Sequence, residues 1–374
     1  MKGGRSSDDS MQPVLNAIPR LAINGIAGVL VLTIWLVVPR CSASGHKPRL
    51  IAHDLHGSTM GTTYHVKLVA PPALTVRDIQ IALEAELESI NASMSTYRAD
   101  SELSRINAAA STQWIHVSAP LYAVISAASA VSRATVGAFD VTVGPLVNLW
   151  GFGPEIRAAR PPSAAAISAA RARVGHWKLE LQAHPRAIRK TRADVYIDLS
   201  AIAKGYAADA LAIKLRALGY ADFMVEIGGE VAVRGRNAEG RPWQVGLEYP
   251  GEGASSLNRV LDLSDLSLAT SGDYRNYFEF EGRCYSHEID PHSGWPVAHA
   301  LAAVSVVHAS AMYADAYATA MMILGPEQGL RYADDLGLAV LFFVRDDARF
   351  VEVSSAAFRT RFNSGKSMPL GSPP

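Results

Sequence analysis

The chain has 374 residues, with 35 Lys and Arg against 35 Asp and Glu, and 49% of its residues are hydrophobic. That length holds one large domain or two with ample core, and the apolar fraction excludes a disordered chain. The charge balance advertises no nucleic-acid partner, and two cysteines, Cys41 and Cys284, exclude a disulfide framework.

Residues 21–38 read LAINGIAGVLVLTIWLVV, an apolar run preceded by Lys2, Arg5 and Arg20. Its length falls between a signal-peptide core and a spanning helix of roughly 20 residues. Residues 1–20 are therefore expected as a cytoplasmic segment, 21–38 as a signal peptide or membrane anchor, and 39–55 as a linker. Either form of leader exports the body of the protein. Cys41 stands where a lipoprotein cysteine would, but Pro39-Arg40 departs from the small-residue lipobox, so an anchor or signal peptide is favoured over lipidation.

Residues 56–70 carry a turn at Met60-Gly61-Thr62 and then alternation through Tyr64, Val66 and Leu68, a strand halted by Pro71-Pro72. Residues 76–91 predict an amphipathic helix, because Ile79, Leu83, Leu87 and Ile90 share one stripe. Asp100 or Ser101 can cap the short helix that follows. An Ala-rich helix spans 120–136, and LVNLWGFG at 146–153 sets Trp150 and Phe152 between glycines. Residues 154–172 read as a surface connection into a short helix, and 174–188 as weak strand. A strand then ends at Asp198, a loop holds Ser200, and a helix runs from Ala203 to Leu218, stopped by Gly219.

Residues 223–234 read as strand, Gly228-Gly229, strand, and 243–247 and 258–263 supply further strands. After a turn cluster at Ser271-Gly272-Asp273, residues 275–280 and 283–289 alternate on either side of Glu281-Gly282. This is a β-hairpin with a primed turn, pairing Phe280 with Arg283, Phe278 with Tyr285 and Asn276 with His287. Cys284 falls on the face opposite His287 and is expected to be buried. A strand at 304–308, helices at 312–324 and 327–336, and a strand pair at 338–343 and 350–353 complete a domain expected over 56–355, with a tail at 356–374. Hairpins recur and no βαβ rhythm appears, which favours an α+β fold of mixed, largely antiparallel sheets with packed helices over a doubly wound one.

Several groups could carry chemistry. Asp315 and Thr319 lie four apart on one helix face, and a carboxylate with a hydroxyl is a hard oxygen pair of the kind Mg²⁺ prefers. Asp315 by itself fits equally well as an acidic residue in the first helical turn. DLSAIAKG at 198–205 is a strand-to-helix junction that can offer backbone groups to an anion, with Lys204 adding positive charge, although a capped helix with a surface lysine explains it too. Gly228-Gly229 permits a close backbone approach or a plain bulge. Met60, Tyr97, Trp150 and Phe152 offer surfaces for a flat heterocycle, or core. His287 can accept a proton near neutral pH, or be structural. GxSxG, HExxH, CxxC and GxGxxG are all absent, which removes the main support for serine-hydrolase, zincin, thioredoxin-like and common Rossmann readings.

Taken in order, MGTTY at 60–64, MSTYRADSELSRIN at 94–107, GAFDVTVGPLVNLWGFG at 137–153 and IDLSAIAKGYAAD at 197–209 resemble the ApbE family, the FAD:protein FMN transferases. The resemblance continues with EIGGE at 226–230, TSGDYRNYF at 270–278, SHEIDPHSGWP at 286–296 and ADAYATAMMILG at 314–325. It implies an ApbE-like (T-fold-like) architecture and an exported enzyme, on the periplasmic side of the inner membrane in Gram-negative bacteria. Such an enzyme uses Mg²⁺ to split FAD, joins FMN to a threonine or serine of a target flavoprotein, and releases AMP. Targets of the family include subunits of sodium-pumping quinone reductase and Rnf complexes and other FMN-binding-domain proteins. By motif position, Asp315, Thr319 and the Ala201 carbonyl are implied as Mg²⁺ ligands. Met60, Tyr97, Gly144, Lys204, Gly228 and Asp273 are implied as FAD-pocket residues, and His287 as the catalytic histidine.

Glu288 departs from the apolar residue usual in the family, and His292-Ser293 from the usual Arg/Lys-Thr. These departures bear on target preference more than on the reaction, and an aromatic at Tyr97 favours transfer over hydrolysis. The alternatives are a Mg²⁺-dependent FAD pyrophosphatase and a non-enzymatic periplasmic FAD-binding protein.

Overall fold

A computed structural model describes residues 49–362, except 155–159, 249, 251–256, 275 and 348. The apolar run at 21–38 and the stretch after 362 lie outside the described residues. Among the described residues no helix is long and apolar enough to cross a membrane.

The first ribbon is β1 (Ile51–Thr59) and β2 (Thr62–Ala70), turned at Met60 and Gly61, both with positive φ. It starts inside the expected linker, because Leu55 already belongs to the core. α1 (Arg77–Met94) buries Ile79, Leu83, Leu87 and Ile90, the stripe read from the sequence, and adds Met94. α2 (Glu102–Ala108) is capped by Ser101, whose hydroxyl accepts the Ser104 N–H at 2.9 Å. After β3 (Ile115–His116) comes α3 (Ala119–Ala134), then α4 (Gly144–Trp150) and α5 (Ala164–Arg171). β4 (Leu179–Gln182) and β5 (Ala187–Lys190) join β3 in a small sheet ordered β3-β5-β4.

The expected strand ending at Asp198 is extended but pairs with no ladder. The Asn107 side chain takes both the N–H and the C=O of Ile197 at 2.8 Å, and the Asp198 N–H donates to the Val141 carbonyl at 2.7 Å. With those groups satisfied, no neighbouring strand is required.

α6 (Ala203–Ala217) follows, then β6 (Phe223–Ile227), β7 (Glu230–Arg234), β8 (Trp243–Glu248), β9 (Leu257–Leu263) and β10 (Leu266–Gly272). Ser271 and Gly272, read as part of a turn, are the last residues of β10, paired with β13 (Leu301–His308) through Val304 and Ala303. The hairpin of β11 (Tyr277–Phe280) and β12 (Arg283–Ser286) keeps the predicted register, Phe278 opposite Tyr285 and Phe280 opposite Arg283, around a turn with positive φ at Glu281 and Gly282. Cys284 is exposed rather than buried, because the third core packs on Phe278 and Tyr285, which project from the other face of the ribbon.

α7 (Ala311–Asp335) breaks at Gly325 (φ 75°, ψ 178°) before Pro326, which matches the two helices predicted there. β14 (Ala339–Asp346), β15 (Arg349–Ser354) and α8 (Ala356–Phe362) close the fold.

Eight strands form one sheet ordered β1-β2-β6-β7-β10-β13-β14-β15, with every pairing antiparallel. Alternation along the strands divides the core in two. Phe223, Val225, Ile227, Val304, Val306, Val340 and Phe342 face a layer that includes α1, α3, α6 and α7. Val231, Val233, Leu268, Leu341 and Phe343 face the β8–β9 ribbon and α8. The segment expected as a C-terminal tail therefore includes a structural helix, since Phe358 is fully buried in this second core. Phe358→Ala is expected to cost about 3–5 kcal/mol, read as a lower urea midpoint with an unchanged denaturant slope.

Candidate active site

A cleft of about 350 Å³ opens where the start of α6, the N-terminal half of α7, the end of β10 and the β6–β7 turn meet. The hairpin end and the segments on either side of α4 form its other walls. Of the residues implied as metal, FAD-pocket or catalytic groups, Tyr97, Ala201, Lys204, Gly228, His287, Asp315 and Thr319 line it, and Phe152 joins them.

Asp315 is buried, and its Oδ2 accepts the Gly205 N–H at 2.9 Å. Gly205 lies in the first turn of α6, where the N–H groups have no helical carbonyl to meet, and the Asp315 carboxylate takes this one. Ala201 stands just before the helix and lines the same cleft. One turn along α7, the Thr319 hydroxyl lies 3.4 Å from the Ser271 hydroxyl. Among the described residues no three His, Cys, Asp or Glu side chains gather as a metal cluster. A carboxylate, a hydroxyl and a backbone carbonyl are a different donor set, hard and all oxygen, and they suit Mg²⁺.

Lys204 balances the buried carboxylates. Its Nζ lies 2.7 Å from Glu230 Oε1 and 4.0 Å from Asp315 Oδ1. Burial works against the Lys204 ammonium, yet the Asp315 and Glu230 carboxylates hold its pKa above the ordinary lysine value. Burial drives the Glu230 carboxyl upward against the pull of Lys204, and does the same to Asp315 against Lys204 and the Gly205 N–H. Glu230 Oε2 is buried with no hydrogen-bond partner among the described residues.

His287 stands on the hairpin side, its backbone N–H donating to the Asn276 carbonyl at 3.0 Å. Its Nδ1 lies 3.1 Å from the same oxygen. A carbonyl only accepts, so Nδ1 carries a proton, and in the neutral imidazole Nε2 holds the lone pair. Phe152 meets the imidazole edge-on at 6.3 Å and stacks on Phe278 at 5.7 Å. Tyr97 stands at the rim of the cleft, 68% exposed.

Three expected pocket residues do not line the cleft. Met60 sits in the β1–β2 turn and packs against the main core. Gly144 starts α4 beneath Tyr196, where a Cβ would lie 2.3 Å from the ring. The Asp273 carboxylate is taken by Arg345, at 2.6 and 2.9 Å. Trp150 is core as well: its indole N–H donates to the Gly294 carbonyl at 2.9 Å and its ring stacks on Tyr285 at 5.5 Å.

The cleft also gathers residues of the motifs that were not named as pocket, metal or catalytic residues, among them Asp140, Asp198, Glu230, Asn276 and Glu288. Glu230 carried a usable signal. It precedes Val231, Ala232 and Val233 in a strand buried on both faces, where an acidic side chain calls for a partner.

The sequence model of the ApbE family matches residues 60–342. The chain belongs to the ApbE family. It is 40% identical to the FAD:protein FMN transferase of Haemophilus influenzae over 340 residues, 89% of this chain and 97% of the relative. It is 36% identical over 83% of its length to the FAD:protein FMN transferase of Escherichia coli, covering 90% of that protein. Among solved structures it resembles the flavin transferase ApbE from Vibrio cholerae, with a TM-score of 0.77 and 38% identity, covering 84% of this chain and 100% of that one. The apo form of Pseudomonas stutzeri flavinyl transferase ApbE superposes equally well, with a TM-score of 0.77 and 40% identity, covering 85% of this chain and 98% of that one. The mixed α+β architecture with antiparallel sheets is therefore an ApbE fold.

Gly205 is the packing point of this ApbE site. A Cβ there would lie 2.3 Å from the Ala311 carbonyl oxygen and 2.8 Å from Asp315 Cβ. Gly205→Ala is expected to push α6 and α7 apart and cost about 1–3 kcal/mol, measurable by urea denaturation of the purified protein.

Proposed function

We propose that this chain transfers FMN from FAD to a threonine or serine hydroxyl of a target flavoprotein, releasing AMP, with Mg²⁺ as the metal. The observation that carries the reading is the oxygen set of Asp315, Thr319 and the Ala201 carbonyl in the same cleft as the open Nε2 of His287. The names of the relatives support the FAD and FMN chemistry.

Asp315, Thr319 and Ala201 would hold Mg²⁺, which when bound supplies positive charge at the pyrophosphate oxygens. Lys204, 29% exposed, presents a second cation to the same phosphates. Tyr97 and Phe152 give the cleft aromatic surface for a flat ring system, and Gly228 lets the β6–β7 backbone come close. His287 Nε2 removes the proton from the incoming hydroxyl as its oxygen attacks the FMN phosphorus.

The acceptor is an FMN-binding-domain protein or a subunit of a membrane redox complex of the sodium-pumping quinone reductase or Rnf type. The apolar run at 21–38 supports a place on the periplasmic side of the inner membrane, anchored or secreted.

Incubating residues 44–374 with FAD, Mg²⁺ and an FMN-binding-domain protein is expected to give acid-stable flavin fluorescence on the acceptor and stoichiometric AMP. Chelation with EDTA abolishes both. Asp315→Ala lowers the rate by more than about 100-fold, and His287→Ala by about 10²–10⁴-fold. FMN and AMP without labelling would replace the transferase with a pyrophosphatase, bound and uncleaved FAD would leave a binding protein, and full activity in Asp315→Ala would sink the metal assignment.

A further inference from the structure

The nitrogen of His287 that faces the cleft has a carboxylate beside it. With Nδ1–H committed to the Asn276 carbonyl, the lone pair lies on Nε2, and Nε2 is 3.7 Å from Oε1 of Glu288. Both residues line the cleft, and Glu288 is only 7% exposed. While the imidazole is neutral, this is an uncomfortable arrangement, a buried carboxylate turned toward a lone pair. Once Nε2 takes a proton, the same geometry becomes an imidazolium–carboxylate contact whose acidic partner is buried, so the attraction is screened less than at a free surface.

The other charges around the pair have partners of their own. Asp273 at the end of β10 is held by Arg345 of β14 at 2.6 Å. Lys204 on α6 stands 2.7 Å from Glu230 and 4.0 Å from Asp315 on α7. Among the described residues, the ion-pair contact of His287 is with Glu288. Burial raises the pKa of the Glu288 carboxyl, and the first opposing influence is His287.

We propose that Glu288 is a positioning residue for the transfer, a buried carboxylate that stabilises His287 in the protonated form it adopts as the acceptor hydroxyl attacks. This rests on the transferase reading above. In that step the acceptor O–H bond breaks and its oxygen bonds to the FMN phosphorus. The P–O bond to AMP breaks with its electron pair left on the AMP phosphate, and the proton passes to Nε2 and then to solvent. The imidazolium exists only as charge develops, so Glu288 acts on kcat and not on FAD affinity.

The test compares wild type, Glu288→Gln and Glu288→Asp in steady-state FMN transfer with FAD, Mg²⁺ and an FMN-binding-domain protein. Glu288→Met stands in for the Gln variant should that one not fold, since an apolar replacement of a buried charge is readily tolerated. The expected result is a kcat roughly 10- to 100-fold lower without the carboxylate, a KM for FAD within about twofold of wild type, and partial recovery in Glu288→Asp. A kcat within about twofold of wild type, a loss confined to KM, or equal losses in the Gln and Asp variants would overturn the inference. Absence of labelling by the wild-type protein would overturn the transferase reading instead, so the two failures are told apart.

Discussion

Two carboxylates exchanged between neighbouring helices fix the geometry on which the site depends. Asp209 of α6 accepts the N–H groups of Ala311 and Met312 at 3.0 Å each and the Ser310 hydroxyl at 2.6 Å, satisfying the first donors of α7. Asp315 of α7 returns the contact by accepting the Gly205 N–H at the start of α6. Each pair is four residues apart on its own helix, Gly205 with Asp209 and Ala311 with Asp315, so both contacts lie along a single line of approach. That approach is possible because position 205 has no Cβ. The crossing of α6 over α7 therefore depends on a glycine as much as on the two acids.

The charge pattern of the cleft follows from this crossing. Once Asp315 is buried between the helices, a cation must accompany it, and Lys204, one residue before Gly205, is the neighbour that can reach. The same ammonium meets Glu230, which strand alternation turns toward the helices from the start of β7. Three titratable groups from three elements thus sit together, two of them buried and Lys204 reaching the cleft. The turn at Gly228-Gly229, with φ of 59° and 105°, ends β6 at Ile227 and brings the next strand back in time to place Glu230 there.

The opposite wall is held by aromatic packing. Trp150 lies against Tyr285 and Trp295 and fastens Gly294 through its indole N–H, while Phe278 stacks on Tyr285 at 5.3 Å. This small third core fixes a two-stranded hairpin that would be marginal alone. His287 leaves the end of that hairpin with its ring already oriented by the Asn276 carbonyl. The cleft therefore joins an electrostatically fixed side to a hydrophobically fixed one.

Local pattern by itself determined much of this protein. The stripe of α1, the register of the β11–β12 hairpin, the break of α7 before Pro326 and the shared face of Asp315 and Thr319 all follow from periods of 3.6 or 2 and from turn residues, which act over a few positions. The burial of an individual side chain is another matter, because it depends on what arrives from elsewhere in the chain. Trp150 is core because residues 285 and 295 come to it, and Cys284 is exposed because the aromatic cluster packs against the other face of the ribbon. Ser271 and Gly272 continue a central strand because β13 pairs with them, and Phe358 makes α8 part of the fold because the far face of the sheet needs a cover. Periodicity placed Asp315, Thr319 and His287 on their elements, and only the tertiary structure set Glu230 against Lys204 and buried Glu288 beside His287, since burial and that ion pair depend on segments that no local repeat relates.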